Sequence, residues 1–445
     1  MSAVAEHDAR VQSIAAQVRD TIGRGERVHI DKGGVHHVVP LPGDPRFRSR
    51  SIDVSGLRRV LHIDREARRC VAEPGISFAE LVDATLPYGL APAVVPELEG
   101  ITIGGAVAGC AVESTSFRVG GFFDNCRELE LVTGAGEVLT CSREQEPFLY
   151  EMVHGSYGTL AVLTRLTFDL VPAGPYVEMT YERYREPGEF FAAMKARCDA
   201  GDVEFIDGIV HGPDELVLCL GRYVDRAPYV SDYRWLDIYY KSTRTRRVDY
   251  LSTRDYFFRY DTECHWLTRT VPGLENRLVR GAVGKFLLGS TNLIRWSNRL
   301  APVLGAIKRR PDVVVDLFIP YRRILDFYGW YAEAPRFYPL WVIPYRLPKF
   351  YPWVSGPMAE RMGDTLLIDC AIYGMPNGEP ARDWSQEFED QTFACGGVKT
   401  LISRNHYTRE RFFEIYDEAN YAAAKRRLDP HGVFPGLYEK FHRVG

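Results

Sequence analysis

The chain has 445 residues, room for two or three domains, and its 46% hydrophobic and 26% charged residues are the balance of a soluble globular protein. A net charge of −4 gives no overall attraction for nucleic acid. The nine cysteines, at 70, 110, 126, 141, 198, 219, 264, 370 and 395, are odd in number and never spaced C-x-x-C, which argues against a disulfide framework and a zinc site and for a reducing cytoplasm. No metal is expected.

In chain order, Val11, Ile14, Ala15, Val18 and Ile22 fall at helical spacing, so the chain opens with an amphipathic surface helix ending near Gly23 and Gly25. Glu6, Asp8, Arg10, Arg19 and Asp20 interrupt any apolar run there, and neither a signal peptide nor a membrane span is expected. Residues 58–64 and 69–73 read as a hairpin turning through 65–68. Ser77 and Glu80 form a capping box that opens a helix closed by Gly89. A second hairpin spans 128–141 with its turn at Gly134-Ala135-Gly136, and a further strand covers 160–171.

Between these elements lies the segment Thr102-Ile103-Gly104-Gly105-Ala106-Val107-Ala108-Gly109-Cys110-Ala111-Val112-Glu113-Ser114. Small side chains let a ligand approach the backbone, and free N–H groups in such a turn bind phosphate oxygens. The bland alternative is a tight turn at Gly104-Gly105 followed by alanines that pack a helix; on this segment alone both readings stand. The G-G-x-x-x-G spacing is neither a Rossmann fingerprint nor a Walker loop. A second small-residue loop, Gly155-Ser156-Tyr157-Gly158-Thr159-Leu160, precedes a strand, and two such loops favour a dinucleotide with a pyrophosphate.

From about residue 176 aromatics become dense, as in Tyr176, Tyr181, Tyr184, Phe190 and Phe191, and a second domain is expected to 400. The last 45 residues form a helical tail containing Leu428-Asp429-Pro430-His431-Gly432-Val433-Phe434-Pro435. Arginine far outnumbers the nine lysines, which with abundant Ala, Gly and Val points to GC-rich coding and a bacterium.

The order Val95-Pro96-Glu97-Leu98, Thr102 to Gly105, a hairpin, Gly155 to Leu160 and the terminal Leu428 to Phe434 resembles the FAD-binding domain and C-terminal return of the vanillyl-alcohol-oxidase superfamily. Within it, Glu113-Ser114-Thr115-Ser116, Tyr250 to Trp266, Tyr338-Pro339-Leu340-Trp341 with Pro344, and Phe434-Pro435 with Tyr438 resemble the Δ24-sterol reductases over most of the chain. The resemblance implies an α+β fold. A two-subdomain PCMH-type FAD domain covers 1–175, an α+β substrate or cap domain 176–400, and a C-terminal return 401–445. It places Thr102 to Ser114 along the FAD pyrophosphate and part of the ring, with Gly155, Ser156, Gly158, Thr159 and Leu160 along the same cofactor. Departures are the missing N-terminal membrane segment of the eukaryotic enzymes, and Phe117 where the family has a His. The stretch Pro42 to Ser51 holds no His or Cys for a tether, so FAD is expected to be non-covalent.

The activity so implied is reduction of an isolated C=C bond in a lipid, with NADPH as donor. Bacterial coding favours a methylene-branched fatty acyl chain over a sterol side chain. An FAD-dependent alcohol or polyol oxidase is the competing chemistry, and a flavin-binding protein without turnover the non-enzymatic one. An isolated alkene needs a protein acid, and Tyr256 and His406 are the candidates. Basic residues Lys241, Arg244, Arg246, Arg247, Arg254 and Arg259, and others from Leu278 to Pro311, form either a solvated face or a peripheral contact with anionic phospholipid. The expected location is cytoplasmic, peripheral to the membrane in the second case.

Overall fold

The computed structural model describes residues 3–32, 49–270, 273–293, 296, 310 and 312–442. The first helix, Ala3–Arg24, buries Val11, Ile14, Ala15 and Val18, as its periodicity requires. It packs beside a parallel pair, β1 (Val28–Asp31) and β2 (Arg50–Asp53). His7, on its buried face, sits between Glu73 at 2.9 Å and Glu130 at 3.0 Å. Burial alone would push this imidazole down, but its bonds to the two carboxylates outweigh that and raise it to about 9. The stretch from Pro42 on which the non-covalent expectation rests lies outside the described residues as far as Arg48.

The next five strands and β8 form one antiparallel sheet. β3 (Val60–Asp64) and β4 (Arg69–Ala72) are the first expected hairpin, and β6 (Cys126–Thr133) and β7 (Val138–Ser142) the second. The long β8 (Ala161–Pro172) runs between them, giving the order β3-β4-β8-β6-β7, and β5 (Leu90–Pro92) pairs with the far end of β8. The capping box forms as read: Ser77 accepts from Glu80 N while the Glu80 side chain returns to Ser77 N. Gly136 turns the second hairpin at φ 73, a conformation that favours glycine.

Three residues after β8 the chain enters an eight-stranded antiparallel sheet. Its strands are β9 (Tyr176–Tyr184), β10 (Phe205–Gly212), β11 (Glu215–Val224), β12 (Val248–Ser252), β13 (Val313–Pro320), β14 (Leu340–Arg346), β15 (Leu366–Met375) and β16 (Val398–Lys399). The order is β12-β9-β11-β10-β14-β15-β13-β16. The architecture is α+β, with two sheets and segregated helices.

Register divides this second sheet into two unlike faces. Asp207 lies opposite Cys219, Ile209 opposite Trp341, Ile343 opposite Asp369, and Ala371 opposite Asp316. Because side chains alternate, these residues share one face, which packs toward the first sheet in a common core with Val107, Leu129 and Leu166. Ile206, Val210, Leu218, Val342, Ile368 and Val315 point the other way. They pack under the helices Pro187–Ala200, Ile324–Glu333 and Trp384–Ala394. Phe190 and Phe191, part of the aromatic-dense stretch that opens the second domain, belong to this outer core.

Candidate active site

The glycine-rich segment divides into a helix and an extended strip. Thr102 precedes a short helix over Ile103–Ala108 whose Ile103, Gly104, Ala106 and Val107 are buried. Gly104 is there for packing, since a Cβ would lie 2.5 Å from the Pro74 Cβ. Gly105 faces outward, where a Cβ would meet only the Thr102 hydroxyl at 3.3 Å. After Gly109 the side chains of Cys110, Ala111 and Val112 keep partial exposure, and Glu113 and Ser114 are buried. Both readings of the segment therefore describe part of it: a packed helix, then a small-residue strip open to a ligand.

The second loop borders the same strip. Gly155 at φ 72, Tyr157 at φ 51 and Gly158 at φ 71 turn the chain sharply, and Tyr157 N donates to Ala108 O at 2.7 Å. Ser156 and Thr159 spend their hydroxyls inside the turn, on Val153 O and Ser156 O, and Leu160 is core. The C-terminal tail braces the loop. Lys425 Nζ donates to Thr159 O at 2.7 Å, Tyr421 OH to the Thr159 hydroxyl at 2.9 Å, and Lys440 Nζ to Tyr157 O at 2.5 Å. Spacing in the sequence had no means of finding these long-range contacts.

Opposite the strip stands a group of polar side chains on the inner face of the second sheet. Asp316 and Asp369 are diagonal neighbours on β13 and β15. Tyr373 OH donates to Asp316, and His265 stacks on the Tyr373 ring at 4.1 Å. His265 Nε2 in turn meets Glu97 at 2.7 Å. Burial pushes Glu97 up, but the His265 charge and hydrogen bond prevail and hold it below the usual carboxylate range. Asp316 is raised by burial to about 6, and Asp369 is raised further, by burial and then by the charges of Asp316 and Glu97. Cys110 faces the same carboxylates, and burial with their charge pushes its thiol well up.

Cys110, Tyr157, Asp316 and Tyr373 each keep partial exposure deep within the protein. They thus line an internal space between the two sheets. Asp369 Oδ1 and Trp353 Nε1, the latter beside Gly155, are buried polar atoms with no partner among the described residues. Orphaned polar atoms around a space lined by small residues fit a planar polar ligand such as a flavin.

At the other end of the segment, Ser114 Oγ and Tyr256 OH are 3.0 Å apart. Arg259 lies 4.3 Å over the Tyr256 ring and pairs with Asp207 at 2.7 Å and Glu113 at 3.1 Å, all buried. Burial raises the Glu113 carboxyl to about 7, the opposing Arg259 charge notwithstanding. Burial also pushes the Tyr256 phenol far up, so it keeps its proton. A cavity of about 580 Å³ opens here, lined by Pro92, Val95, Ser114, Val171, Phe205 and Phe257 among others.

Tyr256 is thus brought to the glycine-rich segment. His406 is placed elsewhere, 3.2 Å from Glu389 and 3.5 Å from Asp383 on the outer helix Trp384–Ala394. It reaches the second loop only indirectly: Asn405 N donates to Phe441 O, and the Phe441 ring packs on Tyr157 at 5.2 Å. The basic residues around 241–259 are mostly spent. Lys241 pairs with Glu275, Arg244 with Glu215, Arg246 with Asp249, Arg254 with Asp83 and Glu99, and Arg259 is interior. Of the later basic stretch, Arg295, Arg299, Lys308 and Arg309 lie outside the described residues.

Comparison with known proteins agrees with this geometry. The FAD binding domain family matches residues 8–142, which hold the first sheet through β7 and the whole glycine-rich segment. The match identifies an FAD binding domain within residues 8–142. Over 98% of its length it is 25% identical to the Delta(24)-sterol reductase of Homo sapiens, covering 86% of that protein. It is 23% identical to that of Arabidopsis thaliana, over 89% of this chain and 77% of the relative. A shorter match, 38% identical over 137 residues, is to Cytokinin dehydrogenase 6 of Oryza sativa subsp. japonica, covering 30% of this chain and 26% of that one. The described residues contain no helix long and apolar enough to cross a membrane.

Proposed function

We propose that this protein is an FAD-dependent oxidoreductase that reduces an isolated C=C bond in a lipid, with NADPH as electron donor. The observation that carries the reading is the internal space, with small residues on one wall and buried acids on the other, in a chain similar to sterol reductases over nearly its full length. In this reading residues 1–175 bind FAD, 176–400 cover it, and 401–445 return to brace it. Thr102, Gly105 and Ala108 to Val112 with Gly155, Tyr157 and Gly158 would hold the cofactor. Ile103, Gly104, Ala106, Val107 and Leu160 shape this wall from the core side. Bound FAD supplies a carrier for two electrons. The strongly raised Cys110 thiol supports non-covalent binding, because only a thiolate is a good nucleophile.

The preferred substrate is a methylene-branched fatty acyl chain, reduced to a methyl-branched one, and the apolar part of the 580 Å³ cavity's lining, with Pro92, Val95, Val171, Phe205 and Phe257, supports a lipid. A sterol side chain is the second reading, favoured by the names of the relatives. Peripheral contact with phospholipid, for a cytoplasmic protein, is supported by Leu278, 84% exposed on its helix, beside the exposed Val279.

Purified protein should be yellow and release its flavin on acid precipitation. Gly105→Val should stay folded and lose flavin, because the added side chain enters the open side of the segment. Held free of oxygen, the NADPH-reduced protein should be reoxidised by a methylene-branched acyl lipid and not by its saturated counterpart. Reoxidation by an unsaturated sterol alone would select the second reading. Flavin reduction by a simple alcohol, with no response to either alkene, would establish an oxidase instead.

A further inference from the structure

The 580 Å³ cavity at the end of the glycine-rich segment grades from apolar to charged. Of its lining, Ala93, Val95, Ser114, Phe205 and Phe257 are buried, and the Ser114 hydroxyl is engaged with Tyr256. Arg118 and Asp225 are exposed and Glu204 is half-buried, so these three form its rim. None of the three makes an ion pair among the described residues, and Glu204 accepts only from Tyr223 N, at 3.2 Å. Glu113, the other charged residue of the lining, is countered by Arg259 at 3.1 Å. Two of the rim charges converge on one side chain of the lining: burial raises the Tyr223 phenol, the Glu204 charge raises it further, and the Arg118 charge holds it back.

We propose that this cavity takes an acyl lipid with a zwitterionic phosphoester head, the phosphate on Arg118 and the ammonium on Glu204 and Asp225. This rests on the lipid-substrate reading above and names the head of that lipid. The rim offers one cation and two carboxylates, all without a partner of opposite charge. A purely anionic head would satisfy Arg118 and be repelled by both carboxylates, and a purely cationic head would meet the reverse. A neutral head would leave all three unmatched. Only a head that carries both signs matches each of them. The direction of entry follows from the same gradient. The inner wall has no unpaired charge to replace the water around a phosphate or an ammonium, so the head stays at the rim. The acyl chain runs inward past Val95, Phe205 and Phe257 toward Ser114, where the glycine-rich segment begins to turn back to the internal space.

The test uses short saturated lipids that dissolve as monomers and cannot be reduced, titrated by calorimetry into the flavin-loaded protein. Dihexanoyl phosphatidylethanolamine should bind about fivefold more tightly than dihexanoyl phosphatidylglycerol at low salt, an advantage that shrinks as salt is added because the rim is open to water. Glu204→Gln combined with Asp225→Asn should reverse that order, and Arg118→Gln should weaken both lipids. Ala173→Trp, which fills the cavity from its partly exposed side, should abolish binding of both. Flavin content should be unchanged in every variant, which reports that each has folded. Equal affinities in the wild type, a preference that survives the double substitution, or binding that persists in Ala173→Trp would each overturn the proposal. The ene-reductase reading stands or falls separately, on reoxidation of the reduced protein by an alkene lipid. A protein that binds phosphatidylethanolamine here and responds to no alkene keeps this site and loses that reading.

Discussion

The two faces of the eight-stranded sheet come from the same strands and obey opposite rules. On the outer face Ile206, Val210, Val315, Leu218, Val342 and Ile368 are covered by three helices, and the sheet is held there by apolar burial. A fully buried side chain of this kind contributes about 2 kcal/mol. On the inner face Asp207, Asp316 and Asp369 interrupt the apolar pattern where the first sheet and its glycine-rich strip approach. One face therefore makes the stability, and the other keeps polar groups that cost stability. Buried charge is tolerated there in proportion to how completely it is paired.

The sharpest way to break this contrast is to move a carboxyl across the sheet. Ile368→Asp sets an unpaired acid among outer-face side chains and should cost about 4 kcal/mol or more in urea unfolding. A loss below about 1 kcal/mol would mean the two faces are equivalent. Asp207→Asn should come next. It weakens the 2.7 Å pair and leaves Arg259 with Glu113 alone, at a cost of about 3 kcal/mol by the same measurement.

His7 tests pairing in the first sheet. Its folded value of about 9 lies above the ordinary 6.5, so its contribution is fully present below pH 6.5 and lost as pH rises through 9. The shift of 2.5 units corresponds to at most about 3 kcal/mol. The stability gap between wild type and His7→Gln should be wide at pH 6 and nearly closed at pH 10. A gap independent of pH would show that His7 acts by packing alone.

Asp369→Leu should have the smallest effect on stability, within about 1 kcal/mol or a gain, because it removes a buried carboxyl with one oxygen unpartnered among the described residues. A loss above about 2 kcal/mol would show that Asp369 is structural.

Much of the first sheet was legible from local signals. Ser77 and Glu80 announce a helix start, Gly134 to Gly136 a hairpin turn, and 58–64 with 69–73 a pair of strands, because each depends on residues near in sequence. For the glycine-rich segment the sequence left two readings open, and each describes part of it, since Gly104 packs against Pro74 while Cys110 to Val112 keep partial exposure. Tyr256 was found through its stretch of the chain, and His406 had only its closeness to the C-terminal tail to commend it.

The sequence by itself determined the hairpins, the capping box and the absence of any apolar run in the first turns, which follow from short-range patterns and residue types, while the α+β class came through resemblance to a family. Only the tertiary structure decided which acids come together. Asp207, Asp316 and Asp369 are far apart in the chain, in strands that read simply as apolar runs. They share a face only because register aligns them and alternation points them inward.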